Sequence, residues 1–333
     1  MTGANGAGKT NLLEALHVGS QGFSPRTRAE PQLVRFGEPA ARVHLEGLES
    51  GAAVETDVVI APREAKRVSM NGALLASAEL LRARLSALVF VPDRLAVVKG
   101  GPIVRRAYVD RMLGRVFPPR APLPTEYGRA LVQRNEALRR VRAGVSTADA
   151  LEPWTRRVAE LGTALDHGRA ELVALLGPGF GAHAASLGLP DATLAYEGAG
   201  LSVEELDGRF AADVERGSTG AGPHLRDVDV RARGRDLRGF GSQGEQRIGV
   251  LALLLAEAEL VAERRSSAPL LLLDDVFSEL DERRRARLLA ALPAGSQTIL
   301  TATERAHYPA GAPEPGLVVA IRRDGDRSTA EAA

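Results

Sequence analysis

A chain of 333 residues with 44% hydrophobic and 26% charged side chains has the make-up of a soluble folded protein. It has room for one large domain or two ordinary ones. It holds no cysteine, which excludes disulfides, thiolate metal sites and cysteine nucleophiles and fits a reducing cytosol. No apolar run approaches the ~20 residues of a membrane span, and no charged-then-apolar leader opens the chain, so the expected setting is the cytoplasm without membrane contact. The net charge of +1 conceals an uneven distribution: residues 101–170 carry thirteen arginines against seven acids.

The first ten residues read as a loop entering a helix, with good helix formers over Asn11–Leu16. Alternation over 42–46 and 54–60, around a turn at Ser50-Gly51, predicts short strands. Asn71-Gly72 is a hairpin turn signal. The apolar run Leu85–Val91 predicts a buried strand. Beyond residue 103 the pattern becomes helical. Tyr127, Leu131, Leu138 and Val141 mark one helix, and Trp154, Val158, Leu161, Leu165, Leu172 and Leu175 a second, with Trp154 as core packing. The turn at Gly144-Val-Ser-Thr-Ala-Asp between them makes an antiparallel pair. Gly177-Pro-Gly-Phe-Gly is expected to end the second helix. Strands follow near 193–196 and 228–232, then a helix over 243–263, a buried strand at 270–273, a helix over 282–292 and a strand at 298–301. A last strand is expected near 318–321, before a turn at Asp324-Gly325 and a disordered tail.

Gly3-Ala-Asn-Gly-Ala-Gly-Lys-Thr10 matches G-x-x-x-x-G-K-S/T. Its glycines let backbone N–H groups cradle phosphate oxygens, Lys9 reaches the β- and γ-phosphates, and the Thr10 hydroxyl binds Mg2+. Leu270-Leu-Leu-Leu-Asp-Asp275 delivers two acids to the end of a buried strand. Asp274 is expected to hold Mg2+, directly or through water, and Asp275 to orient the attacking water. Asp274-Asp-Val-Phe-Ser-Glu-Leu-Asp281 has the spacing of the D-E-P-T-S-A-L-D run of ABC ATPases. Gly241-Ser-Gln-Gly-Glu-Gln-Arg247, at the start of a helix, has the form of their signature loop, which donates to the nucleotide held by an opposing subunit. A chain with one copy of each element needs a second copy, so an ATP-dependent head-to-head homodimer is expected. The nucleotide set is Gly3, Asn5, Gly6, Ala7, Gly8, Lys9, Thr10 and Asn11, with Ser242 and Gly244 from the partner. Asp275, Ser242 and Gln243 form the catalytic set, and Thr10 and Asp274 the metal set.

Several further segments resemble the RecF family of bacterial recombination-repair proteins. They are Ser242-Gln-Gly-Glu-Gln-Arg, Leu-Leu-Asp-Asp-Val-Phe-Ser-Glu-Leu-Asp, the block Val89–Asp110, Gln133-Arg-Asn-Glu-Ala-Leu, and Gly222-Pro-His-Leu-Arg-Asp. The resemblance runs in order from Gly3 to about Thr303. It implies a non-transport ABC ATPase with an SMC-like head and an inserted helical domain. It also implies ATP-dependent binding of gapped or duplex DNA, slow hydrolysis that limits dimer lifetime, and work with RecR and RecO to load RecA, within replication, repair and the SOS response. Asp93 stands where many members have Glu, and Leu225 interrupts the Gly-Pro-His-Arg run. The family also has a strand-turn-strand before the phosphate loop, whereas this chain starts at Met1-Thr2-Gly3. The expectation is an upstream true start, with weak ATP affinity and impaired hydrolysis in the short form.

The expected organisation is α/β: residues 1–103 and 191–325 form the ATPase domain, 104–190 the helical insertion and 326–333 a disordered tail. Arg105, Arg106, Arg134, Arg139 and Arg140, with Arg129 and Arg142 nearby, are the candidate DNA contacts. Sparse aromatics disfavour base stacking. Arg26 and Arg28 are candidates for nucleotide or DNA. The residue that senses the nucleotide after the 298–301 strand is Thr301, Thr303 or His307, the resemblance favouring a threonine. No histidine has metal-ligand spacing. Two other functions compete: an ABC transporter ATPase subunit, disfavoured by the basic insertion, and a non-catalytic ATP-gated clamp.

Overall fold

A computed structural model describes residues 1–333 apart from 28, 50, 326 and 333, so Arg28 and the Ser50 half of the first turn lie outside the described residues. The chain divides into two compact units: Met1–Leu95 with Ala182–Pro190 and Ser242–Ala333, and Ala96–Gly181 with Asp191–Gly241.

The first unit opens with α1 (Lys9–Gln21), β1 (Ala41–Glu49), β2 (Ala52–Ile60), β3 (Arg67–Met70), β4 (Ala73–Leu74), α2 (Ala78–Arg84) and β5 (Ala87–Phe90). Strands β1 to β4 form an antiparallel sheet in chain order. Asn71 and Gly72, with φ of 50° and 77°, make the two-residue turn whose backbone twist suits a hairpin. Alternation in β2 turns Val58 and Ile60 inward onto Val18 of α1, Val68 of β3 and Leu81 of α2.

The second unit is mostly helical: α3 (Ala96–Lys99), α4 (Pro102–Val116), α5 (Leu123–Arg142) and α6 (Glu152–Ser186), then β6 (Ala192–Tyr196), α7 (Val203–Gly208), α8 (Phe210–Arg216), β7 (Val228–Ala232), β8 (Arg235–Asp236) and α9 (Leu237–Phe240). Three expectations are corrected here. Helix α6 runs through Pro178, because Leu172, Leu176, Phe180 and Ala184, four apart, are all buried, and that burial outweighs the one backbone bond a proline removes. Trp154 is 36% exposed and is not core. Residues 191–241 group with the helical segment, since β7 packs on α4 and α9 on α3. Helix α4 lies within the expected helical insertion, but ahead of the first helix that apolar spacing marks, because Arg105 and Arg106 interrupt its stripe.

The first unit resumes with α10 (Gln243–Arg265), β9 (Leu270–Leu273), α11 (Glu282–Ala290), β10 (Thr298–Leu300), β11 (Val319–Asp324) and β12 (Arg327–Ala332). A parallel sheet in the order β10-β9-β5 is buried through Val89 and Leu272, against which Leu13 of α1 packs. Its continuous apolar strands are those of a sheet covered on both faces. Helix α10 is buried from Gln246 to Ala258, and its Ile248–Ala256 stretch is apolar all round, as a buried helix turn must be. Residues expected to form a disordered tail instead pair as β12 with β11, Val319 opposite Ala332 through Asp324 opposite Arg327. Every β12 side chain is exposed, so main-chain bonds, to which composition is blind, hold the strand.

Candidate nucleotide site

Met1 and Thr2 run between the ends of β10 and β11. Thr2 bridges Ala302 on one side and Ala320 on the other, and its carbonyl accepts from the Ile321 N–H at 2.7 Å. The loop that follows requires glycine. A Cβ on Gly3, at φ 156°, would come 2.4 Å from the Ile321 carbonyl oxygen, and Gly8 turns into α1 at φ 106°. Gly6, at φ 77°, has open space on its Cβ side. Asn5, Gly6, Gly8, Lys9, Thr10 and Asn11 line one wall of a cavity, with Pro92, Asp274, Asp275, Thr301 and Thr303 completing it. Ala7, within the loop, is buried. Lys9 Nζ lies along the loop, donating to the carbonyls of Gly3 and Ala4 at 2.6 and 2.9 Å.

Strand β9 brings its two acids to this cavity in different environments. Asp274 is 4% exposed. Its Oδ2 accepts from Thr10 Oγ1 at 2.8 Å and its Oδ1 from Thr301 Oγ1 at 2.7 Å. Asp275 is exposed and sits at φ 47°, and its N–H donates to Thr301 Oγ1 at 2.8 Å. One hydroxyl thus joins the Asp274 carboxylate to the Asp275 main chain. Thr303 Oγ1 lies 2.9 Å from His307 Nδ1 instead. Arg26 reaches Asn11 Oδ1 at 3.4 Å and Glu14 Oε2 at 3.0 Å.

Ser242, Gln243 and Gly244 do not line this cavity. Ser242 caps α10, accepting from the Glu245 N–H while the Glu245 carboxylate accepts from the Ser242 N–H at 2.9 Å, a reciprocal cap. Ser242 and Gln243 are exposed at the positive end of a long helix, where anions are favoured.

Comparison with known proteins bears on this site. A family model described as "AAA domain, putative AbiEii toxin, Type IV TA system" matches residues 1–302. The DNA replication and repair protein RecF of Heliobacterium modesticaldum is 34% identical over 320 residues, 92% of this chain and 86% of that protein. The protein of the same name from Myxococcus xanthus is 38% identical over 322 residues, 91% of this chain and 83% of that one. The chain belongs to the RecF family. A solved structure of the recombination mediator RecF with ATP superposes with a TM-score of 0.85 at 26% identity, covering 100% of this chain and 90% of that one. An SMC head bound to the C-terminal winged-helix domain of ScpA matches with a TM-score of 0.59 at 16% identity, covering 100% of this chain and 88% of that one, a likeness of fold alone. The fold is therefore the ABC-type P-loop ATPase fold of RecF and SMC heads. No helix among the described residues is long and apolar enough to cross a membrane.

The RecF-like arginine-rich segment is used differently from the sequence expectation. Arg134 is 1% exposed and donates to Asp213 at 3.0 Å, Thr219 at 2.7 Å and Thr155 at 3.2 Å. Arg105 forks onto Asp227 at 3.0 and 2.6 Å and onto the carbonyls of Val97 and Val98. Both are therefore removed from the DNA candidates, because their donors are consumed inside the protein. Arg106 donates to the Arg226 carbonyl at 3.1 Å, and burial pushes its guanidinium below its ordinary pKa. Arg139, paired with Glu136 at 2.8 Å, and Arg140 are exposed. The same polar interior holds Asp166, which accepts from Tyr196 and Arg226. Burial, then the bond to Asp166, pushes the Tyr196 hydroxyl up to about 12. On β1 and β2, the side-chain ligand atoms of His44, Glu55 and Asp57 lie within 4.8 Å of one another, a cluster the residue spacing did not show. Arg42 already forks onto Asp57.

Proposed function

We propose that this chain is an ATP-binding and ATP-hydrolysing DNA-binding protein of recombinational repair, which closes head-to-head with a second copy around two nucleotides. The observation that carries the reading is the hydroxyl–carboxylate chain Thr10–Asp274–Thr301 at the mouth of the phosphate loop, with Asp275 beside it. Thr10 and Asp274 offer hard oxygen donors facing one cavity, a set that suits Mg2+. When bound, that ion neutralises phosphate charge.

The residues divide the work by position. Backbone N–H groups of Asn5 to Thr10, at the start of α1, hold the β- and γ-phosphates, and Lys9 exchanges its loop carbonyls for phosphate oxygens. Asp275 accepts a proton from the attacking water. Ser242 and Gln243, exposed at the start of α10, and the half-buried Gly244 meet the γ-phosphate held by the other copy. That none of the three lines the chain's own cavity supports a dimer as the hydrolysing unit. The RecF family supports gapped or duplex DNA as the target, Arg139 and Arg140 as exposed candidate contacts, RecR, RecO and RecA as partners, and the cytoplasm as the location.

The test measures oligomeric state and DNA binding with and without Mg·ATP, comparing duplex, single-stranded and gapped DNA. ATP is expected to produce a dimer and to tighten binding to duplex-containing DNA. A chain that stays monomeric at saturating nucleotide and binds DNA equally well without it defeats the proposal.

A further inference from the structure

Arg247 lies one and a half turns beyond Ser242, on the buried side of α10, and is 3% exposed. Its Nη2 donates to the Asp275 carbonyl oxygen at 2.5 Å. Its Nη1 lies 3.8 Å from the Glu279 carboxylate, and the guanidinium carbon lies 5.2 Å from the centroid of the Phe90 ring. Its Nε is buried without a hydrogen-bond partner. Burial pushes this guanidinium below its ordinary pKa, with Glu279 and Asp275 opposing. A side chain needed only for packing would be apolar here, since a buried, incompletely paired charge is costly.

The segment it grips has a constrained backbone. Asp275 and Glu279 take φ of 47° and 64°, the left-handed region that side chains disfavour. The Asp275 N–H is fixed by Thr301. Its carbonyl accepts from Arg247 and, at 3.3 Å, from the Ser278 N–H. Both peptide groups that flank the Asp275 side chain are thus held by residues outside the strand end, and their orientation decides where the carboxylate points.

We propose that Arg247 is a positioning residue through which the helix beginning at Ser242 sets the direction of the Asp275 carboxylate of the same chain. A shift of the first turns of α10, such as phosphate engagement at Ser242 would produce, is carried by the guanidinium to the Asp275 carbonyl. The acid of each chain then responds to occupancy of its own signature loop. This rests on the ATPase reading above.

The test uses the full chain with Arg247→Met, which keeps the volume, and Arg247→Lys, which keeps the charge. Binding of a fluorescent ATP analogue with Mg2+, single-turnover hydrolysis and thermal unfolding are measured for each. Arg247→Met is expected to slow turnover about tenfold or more, with the nucleotide Kd within about twofold of the parent, and Arg247→Lys to fall between them. In an Asp275→Asn background Arg247→Met should slow turnover no further, because a residue acting through Asp275 loses its effect with it. Full additivity there, or a nucleotide affinity and unfolding temperature that fall in step with turnover, overturns the inference. If Arg247→Met does not fold, Arg247→Lys decides, and parental turnover in that variant overturns it. A parent that binds Mg·ATP but never hydrolyses it overturns this inference and the ATPase reading together. An active parent matched by Arg247→Met overturns this one alone.

Discussion

In the second unit, Arg134 and Asp213 are each 1% exposed at the side chain and lie 3.0 Å apart, with Thr155 and Thr219 taking further donors of the arginine. In the first unit, Asp275 stands exposed at the edge of a cavity on a left-handed backbone. The two regions use the same residue types to opposite ends. Charges that satisfy one another inside a fold specify its packing, and removing one partner strands the other. Charges presented to open space on a constrained backbone are available to a ligand. Local abundance of arginine therefore says little about nucleic acid until the partner of each guanidinium is known.

The sharpest break between the regions comes from substituting on the cavity side. Lys9→Ala removes a charged donor to phosphate, and Asp275→Asn removes the proton acceptor. Each is expected to lower single-turnover ATP hydrolysis by roughly a hundredfold or more, with the unfolding temperature almost unchanged. Asp275→Asn should still dimerise with ATP, and an asparagine variant that hydrolyses at the parental rate would leave the non-catalytic clamp as the better account. The mirror experiment is Arg134→Ala, which takes the buried guanidinium from Asp213, leaving it the Gly220 N–H at 3.0 Å and Arg209 at 3.9 Å, and should cost about 3–5 kcal/mol of stability in a denaturant titration. Arg140→Ala should stay within about 0.5 kcal/mol of the parent. Equal costs for the two arginines would erase the contrast.

Acid titration sharpens the comparison with a smaller effect. His224 lies between Tyr127, 2.7 Å from Nδ1, and the Thr219 carbonyl, 3.1 Å from Nε2, a pairing that suits a neutral ring donating through Nε2. Burial holds its folded pKa below the ordinary 6.5. The unfolded chain then takes up the proton first, so this contribution is complete above that ordinary value and is lost as pH falls through the folded one. Thermal stability should decline on acidification below about pH 6.5, and His224→Gln should flatten the decline. The smallest effect concerns Arg139 and Arg140. Replacing both by alanine should weaken duplex binding evenly across sequences and reduce the salt dependence by about one phosphate contact each. An unchanged salt slope would take both residues out of the DNA interface.

Contiguous features are legible in the amino-acid sequence alone. The phosphate loop, the Leu270–Leu273 strand ending in two acids, the Asn71-Gly72 hairpin and the helix starting after Ser242 each depend on neighbours in sequence. Their glycines, β-branched and apolar runs and capping residues act on the backbone within a few positions. Family membership is legible for the same reason, since the motifs that carry it are short and ordered along the chain. The tertiary structure decided which partner each long polar side chain meets. Arg134 pairs with a carboxylate far along the chain, and Thr301, rather than Thr303 or His307, bonds the Asp274 carboxylate and the Asp275 N–H just after β9. Arg247 grips Asp275, Pro178 stays within α6, and Arg327–Ala332 becomes a strand. Burial and hydrogen-bond pairing are long-range outcomes of the whole chain collapsing at once, and local composition holds no record of them.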